Sequence, residues 1–275
     1  MNSKSSYSDW LVVSDIDGTL NNKLRRTPKA NTKAIDEFVH IKGGNFTLAS
    51  ARNVQSLEPH YKNLPDVGTP AIVLNGAGIY DFKTNEMLWF NPIPEKGKEV
   101  VRKAMKKFPG IEAGIFTEDM IYIVRPKISA PFMMAIDSLR HKKVNSIDEV
   151  PSGNWGKVIF FCMPWNKHKI KEFALKESDG SLAYIDTSVA SFDMVAHDTN
   201  KGTAVLKLAE ILGINEDNIG AIGDYYNDLD MLKTVRHPAC CKQAPNDIHS
   251  VCEYSACHCN DGAVADFISY IYKNY

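Results

Sequence analysis

The stretch Ser14-Asp15-Ile16-Asp17-Gly18-Thr19-Leu20 (SDIDGTL) follows directly on the apolar run Leu11-Val12-Val13. A strand alternates its side chains, so Asp15 and Asp17 would share one face if the strand continued. Gly18 predicts instead that the strand stops here and the chain turns. Two carboxylates at the mouth of a strand lose hydration and repel each other, by about 4 kcal/mol for unit charges ~4 Å apart at an effective dielectric of about 20. Such an arrangement needs a compensating partner.

Three further apolar, β-prone runs end in polar clusters. They are Phe46–Ala49 before Ser50-Ala51-Arg52, Ala71–Leu74 before Asn75-Gly76, and Ile219–Ile222 before Gly223-Asp224. Helical patterns separate the first three strands. One opens at Thr27-Pro28, as N-cap and first helical residue, and stops at Gly43-Gly44; the next covers about Asn53 to Asn63. Strand–helix alternation predicts parallel strands with right-handed crossovers, and ligands bind such sheets outside the carboxyl ends of the strands. The four polar clusters are therefore expected to converge on one edge.

The span from Asn75 to Lys201 is too long for one crossover. It reads as a strand pair (Ile79–Asp81, Glu86–Phe90), a helix (Glu95–Phe108), two strands (Ala113–Thr117, Ile121–Val124) and a helix (Ser129–His141). After Pro151-Ser152-Gly153 come a strand (Lys157–Cys162), a helix (Lys167–Glu177) and two strands (Ala183–Thr187, Phe192–Ala196), before a helix at Gly202–Leu212. Paired strands mixed with helices predict an inserted α+β domain at 82–196, within an α/β core made of 1–81 and 197–275.

A net charge of −1 and a pI near 6.7 give no electrostatic reason to expect a nucleic-acid or membrane partner. The polar start MNSKSSYSDW lacks the apolar stretch of a signal peptide, and no apolar run approaches the ~18 residues that cross a bilayer. The expectation is a soluble, cytoplasmic protein.

The acids suit phosphoryl chemistry. Asp15 can attack phosphorus and form an acyl phosphate that water hydrolyses. Asp17 can protonate the departing oxygen and then deprotonate the water. A hard cation with oxygen ligands, Mg²⁺, answers the repulsion and suits phosphate, with Asp224 of GDYYNDLDM as a further ligand. Lys201 can place positive charge on the phosphoryl oxygens, and Ser50, the Ala51 N–H and Asn227 can donate to them. Each residue alone is ordinary: an isolated DxD is usually a loop or cap, Ser50 an N-cap and Lys201 a solvated lysine. The signal is the set, in order, at predicted strand ends.

These stretches resemble the haloacid dehalogenase (HAD) superfamily of phosphotransferases, in its Cof-type branch with a type IIB cap. DIDGTL, LASAR, the lysine of TNKGTAVLKLAEILGI, and GDYYNDLDM resemble its four motifs; NGAGIYD and NDGAVADFI are also similar to that branch. The resemblance implies a doubly wound, Rossmann-like parallel sheet with an inserted α+β cap. It implies Asp15 as nucleophile, Asp17 as general acid/base, and Mg²⁺ held by Asp15, the Asp17 carbonyl and Asp224. Phosphate would be held by Ser50, Lys201 and Asn227, with the Ile16 and Ala51 backbones nearby and Asp228 supporting the metal site. Branch members usually read Thr-Gly-Arg where this chain reads Ser50-Ala51-Arg52; serine keeps the hydroxyl, and alanine costs little unless the backbone there needs positive φ.

Arg52, Asn75, Arg125, Trp155, Lys157 and His197 could reach a substrate from loops or the cap, Asn75 foremost. Five of the six cysteines crowd the C-terminal segment; their spacing fits burial better than a zinc site, though Cys257 and Cys259 could share a strand face. The leading expectation is a Mg²⁺-dependent phosphatase of small phosphorylated metabolites, sugar phosphates first, using an aspartyl phosphate. Alternatives are a phosphomutase, which would return the phosphate to a sugar, and a non-enzymatic phospho-acceptor or sugar-phosphate sensor.

Overall fold

The run ahead of Asp15 forms strand β1 (Leu11–Ser14), with all four residues buried. In the computed structural model, which describes residues 6–127 and 139–275, β1 pairs in parallel with β2 (Asn45–Leu48) and with β12 (Ile219–Gly223). Strands β13 (His237–Cys241) and β14 (Tyr254–Ala256) extend this parallel sheet to the order β14-β13-β12-β1-β2. Parallel strands covered on both faces are written as continuous apolar runs, which is why β1 and β12 were legible.

Strand β3 (Ala71–Val73) joins the edge of β2 through a parallel bridge between Ala49 and Ile72. It also opens a second, three-stranded sheet with β4 (Gly78–Asp81) and β5 (Glu86–Phe90). The expected strand to Leu74 stops one residue early because Leu74 and Asn75 both turn left-handed, at φ 53° and 60°. Helix α1 starts at Lys29, one residue later than expected, because Pro28 is still extended (ψ 140°). It runs to Asp36, and a π-helical turn, Glu37–Ile41, completes the expected span. Helix α2 covers Val54–Lys62.

The chain divides into two units. The first comprises Met1–Arg52, Leu57–Leu88 and Asn200–Tyr275; the second comprises Asn53–Ser56 and Trp89–Thr199. The second unit has a six-stranded sheet ordered β10-β11-β9-β6-β7-β8, with β6 (Glu112–Thr117), β7 (Ile121–Val124), β8 (His141–Val144), β9 (Trp155–Phe161), β10 (Leu182–Ser188) and β11 (Ser191–Ala196). Only the β7–β8 pair is parallel. Helices α3 (Glu95–Lys107) and α4 (Pro164–Glu177) pack together and share its apolar core with Val158, Phe160 and Phe192. Pro164 at the first helical position of α4 explains why that helix begins ahead of the expected Lys167.

Most of the helix expected at Ser129–His141 lies outside the described residues. Of its described end, Leu139 and Arg140 are not helical, and His141 opens β8. In the first unit, α5 (Lys201–Leu212) packs on α6 (Leu229–Thr234). After the short α7 (Asn246–His249), the C-terminal α8 (Ala263–Asn274) packs on α1. Cys240, Cys241 and Cys259 are buried. Cys257 and Cys259 do not share a strand face: β14 ends at Ala256, where backbone pairing gives way to a 3₁₀ turn at Cys259–Asp261. The architecture is a doubly wound α/β sheet with an additional α+β unit inserted in its chain.

Candidate active site

Parallel pairing brings strand ends together, and here it gathers the polar clusters. The Asp15 N–H donates to the Ile222 carbonyl, the Ala49 N–H to Ser14, and the Ser50 N–H to Ile72. The chain leaves β1 through a turn in which the Leu20 N–H returns to the Asp15 carbonyl and the Asn21 N–H to Ile16. Gly18 sits in this turn at φ +90°, and a Cβ there would collide with the Asp224 carboxylate. Only glycine permits both that dihedral and that approach. Buried Asn31 on α1 secures the turn: its Nδ2 donates to the Leu20 carbonyl, and its Oδ1 accepts from the Ala265 N–H.

At the centre is Lys201, wholly buried on the first turn of α5. Its Nζ donates to Asp15 Oδ1 at 2.5 Å and to Asp228 Oδ1 at 2.6 Å. The other Asp228 oxygen accepts from the Asp224 and Tyr225 N–H groups at 3.0 and 3.2 Å, so Asp228 shapes the loop that carries Asp224. Asp15, Asp224 and Asp228 each offer a carboxylate oxygen, all within 4.8 Å of one another. Three carboxylates against one ammonium leave two negative charges in excess.

The electrostatics follow from that imbalance. Burial, then the Asp228 charge, push Asp15 from 3.8 to about 7, against the pull of Lys201. Burial and Asp228 likewise raise Asp224 to about 6, opposed by hydrogen bonds from Thr19 and Gln243. The Lys201 ammonium is held charged: its carboxylate partners raise it above its ordinary value despite the cost of burial. A divalent cation with oxygen ligands matches both the charge and the donor set, so these residues fit Mg²⁺.

Ser50 is buried; its Oγ accepts from the Arg52 N–H at 3.2 Å and its carbonyl from the Asn75 N–H at 2.8 Å. Ala51 is absent from the residues of positive φ, so alanine is accommodated where glycine is usual. Asn75 is buried, and its Oδ1 has no hydrogen-bond partner among the described residues, an orphaned acceptor in the strand-end loop of β3. Asp17 stands apart from the carboxylate cluster, about half exposed, and pairs with Arg52 at 2.8 Å. Asn227 is exposed on the single turn Tyr226–Asp228, and Ile16 is buried between the two acids.

Four residues considered in the second unit serve its own structure. Trp155 lies in its core and donates to the Pro151 carbonyl, Arg125 donates to the Met105 carbonyl, the His197 N–H donates to Ser181, and buried Lys157 pairs with Asp193 at 3.3 Å. A cleft of about 480 Å³ in that unit, lined by Arg102, Lys106, Arg125 and Asp148 among others, includes none of the clustered acids.

Two positioning groups went unassigned in the sequence. Thr19, inside the opening motif, donates to Asp224 Oδ1 at 3.2 Å. Gln243, in the loop after β13, donates through Nε2 to the Gly18 carbonyl at 2.5 Å, accepts the Cys259 N–H at Oε1, and also bonds Asp224. Thr19 could have been inferred from its place in the motif. Gln243 carried no local signal.

The haloacid dehalogenase-like hydrolase family profile matches residues 12–268. The chain is 25% identical over 286 residues to the 5-amino-6-(5-phospho-D-ribitylamino)uracil phosphatase YwtE of Bacillus subtilis, covering 94% of this chain and 96% of that one. Its fold is similar to a haloacid dehalogenase-like hydrolase from Bacteroides thetaiotaomicron (TM-score 0.83, 18% identity, 95% and 99% of the two chains). It is also similar to TM0651 from Thermotoga maritima (0.83, 18%, 95% and 97%) and to the HAD subclass IIB sugar phosphatase BT4131 (0.77, 19%, 95% and 98%). With the profile spanning nearly the whole chain, this protein belongs to the haloacid dehalogenase-like hydrolases.

Proposed function

We propose that the protein is a Mg²⁺-dependent phosphatase of small phosphorylated metabolites, sugar phosphates first among them, working through an acyl phosphate on Asp15. The observation that carries this reading is the shared lysine: Lys201 bridges Asp15 and Asp228, and Asp224 completes a cluster two charges too negative to stand alone. The names of the YwtE and BT4131 relatives support the substrate class.

Asp15, Asp224 and the Asp17 carbonyl would hold Mg²⁺, which when bound neutralises charge on the phosphoryl oxygens and keeps Asp15 ionised. Asp15 attacks phosphorus; a carboxylate oxygen–phosphorus bond forms as the bond to the leaving oxygen breaks, and Asp17 gives that oxygen its proton. Asp17 then takes a proton from water, whose oxygen attacks the same phosphorus and frees Asp15 and phosphate. Lys201 holds Asp15 in line and meets the phosphoryl oxygens, with Ser50, Asn227 and the Ile16 and Ala51 N–H groups as donors. Asn75 offers its unpartnered Oδ1 to a substrate hydroxyl. The inserted domain, about 82–196, selects the leaving group.

The test is phosphate release from a panel of sugar phosphates. Activity should vanish in chelator and return with Mg²⁺. Full turnover in excess chelator would discard the metal assignment, and transfer of phosphate back to a sugar would make the enzyme a mutase.

A further inference from the structure

Asp17 is about half exposed, and a carboxylate so placed has several rotamers open to it. Proton transfer demands better: the donor must lie within hydrogen-bond reach of the leaving oxygen. The side chain that restrains it comes from another loop. Arg52 Nη2 donates to Asp17 Oδ2 at 2.8 Å, and among the described residues this is the one hydrogen bond of the Asp17 carboxylate.

Arg52 is itself well held. Its side chain is only 19% exposed, its N–H donates to Ser50 Oγ, and its carbonyl accepts the Leu74 N–H at 2.8 Å. The residue is thus fixed by the ends of β2 and β3, and it projects a charge onto the loop that follows β1. Its Nε is buried without an acceptor, so Asp17 is the one hydrogen-bond partner that the guanidinium has among the described residues. An exposed ion pair adds little to stability. Its value here is orientation: a cation anchored on one loop fixes the proton-transfer carboxylate of another.

Resting on the phosphatase reading above, we infer that Arg52 is a positioning residue for Asp17, setting where leaving-group protonation occurs rather than gripping the phosphoryl group. Its effect on rate must therefore pass through Asp17. Lysine can keep the charge at this position but not the planar fork, so Arg52→Lys should rescue only in part.

The experiment is a double-mutant cycle on the Mg²⁺-loaded enzyme, with Arg52→Met, Asp17→Asn and the pair, using phenyl phosphate and 4-nitrophenyl phosphate. Phenol is the poorer leaving group and needs the proton more. Arg52→Met should cost about 10²-fold in kcat on phenyl phosphate, the scale of a misplaced catalytic group, and several-fold less on the nitrophenyl ester. In the Asp17→Asn background it should cost almost nothing further. Equal losses on both esters, or an undiminished loss without the Asp17 carboxylate, would assign Arg52 to phosphate binding and overturn the inference. A crystal structure of Arg52→Met supplies a readout independent of turnover: the Asp17 carboxylate should leave its wild-type position, and an unmoved, ordered carboxylate overturns the inference. A wild-type enzyme that hydrolyses neither ester overturns the phosphatase reading, and the inference with it.

Discussion

Lys201 and Asp228 form a buried ion pair 2.6 Å long, both side chains fully enclosed, and the same ammonium reaches Asp15. Asp228 therefore competes with Asp15 for one positive charge while holding the Asp224 loop with its second oxygen. A buried pair of this kind is strongly destabilising to break, because the remaining charge is left without compensation. Lys201→Met strands two carboxylates. It should lower unfolding stability by about 3–5 kcal/mol and turnover by about 10²–10³-fold. Denaturant titration and steady-state kinetics at saturating Mg²⁺ measure the two separately; a variant as stable as wild type would show that another cation serves Asp228.

The two acids of the opening motif should separate in a rapid-quench experiment. Asp15→Asn removes the attacking carboxylate, so no phosphoenzyme forms. Asp17→Asn keeps it and loses proton transfer, about 10²–10⁴-fold. With a leaving group that needs little protonation, phosphate should accumulate on Asp15 as an acid-stable, hydroxylamine-sensitive adduct. Mapping that adduct to another residue would reverse the assignment.

The raised carboxyls set a pH dependence for the metal-free protein. Asp15 and Asp224 rise from an ordinary 3.8 to about 7 and about 6 on folding. Between those limits the folded state binds more protons than the unfolded one, so these groups lower stability as pH rises from about 4 to about 7. Mg²⁺ takes the ionised form and releases those protons. The gain in melting temperature from Mg²⁺ over chelator should therefore grow across that window and then level off. A gain that is flat from pH 5 to 8 would show that the acids are already ionised without metal.

Gln243 should tune metal affinity without entering the chemistry. Its amide joins the Gly18 carbonyl, the Cys259 N–H and Asp224, tying the motif-one turn to the loop after β13. Partners behind a metal ligand are typically worth about 10–100-fold in affinity. Gln243→Ala should weaken Mg²⁺ binding by that order in calorimetry, with kcat at saturating metal nearly retained. An unchanged binding isotherm would make Gln243 a loop brace only.

The Lys157–Asp193 pair in the second unit is buried to a similar degree, with Asp193 Oδ1 left without a hydrogen-bond partner among the described residues. Lys157→Met alone should destabilise by about 3–5 kcal/mol, whereas Lys157→Met with Asp193→Leu should recover most of the loss, since an apolar pair carries no desolvation cost. Equal damage in the single and double variants would mean that the pair fixes the sheet in a way apolar packing cannot replace.

Much of this protein was legible in its residues because the relevant signals are local. Buried parallel strands are contiguous apolar runs, and the polar residues after β1, β2 and β12 mark where each strand ends and a ligand edge begins. Residue order sufficed to place Asp15, Asp17 and Asp224 after those ends, and Lys201 near the start of helix α5. The strands β13 and β14 and the parallel β8 were missed, being short segments whose pairing partners lie elsewhere in the chain. What only the tertiary structure decided was which side chains meet. Lys201 lies 186 residues from Asp15, Arg52 lies 35 from Asp17, and Gln243 lies 225 from Gly18. A side chain's type follows from its codon, but its partner follows from how strands are ordered across a sheet. The sharing of one ammonium between Asp15 and Asp228, and the excess charge it leaves for a cation, exists only once that order has brought three separate segments to one edge.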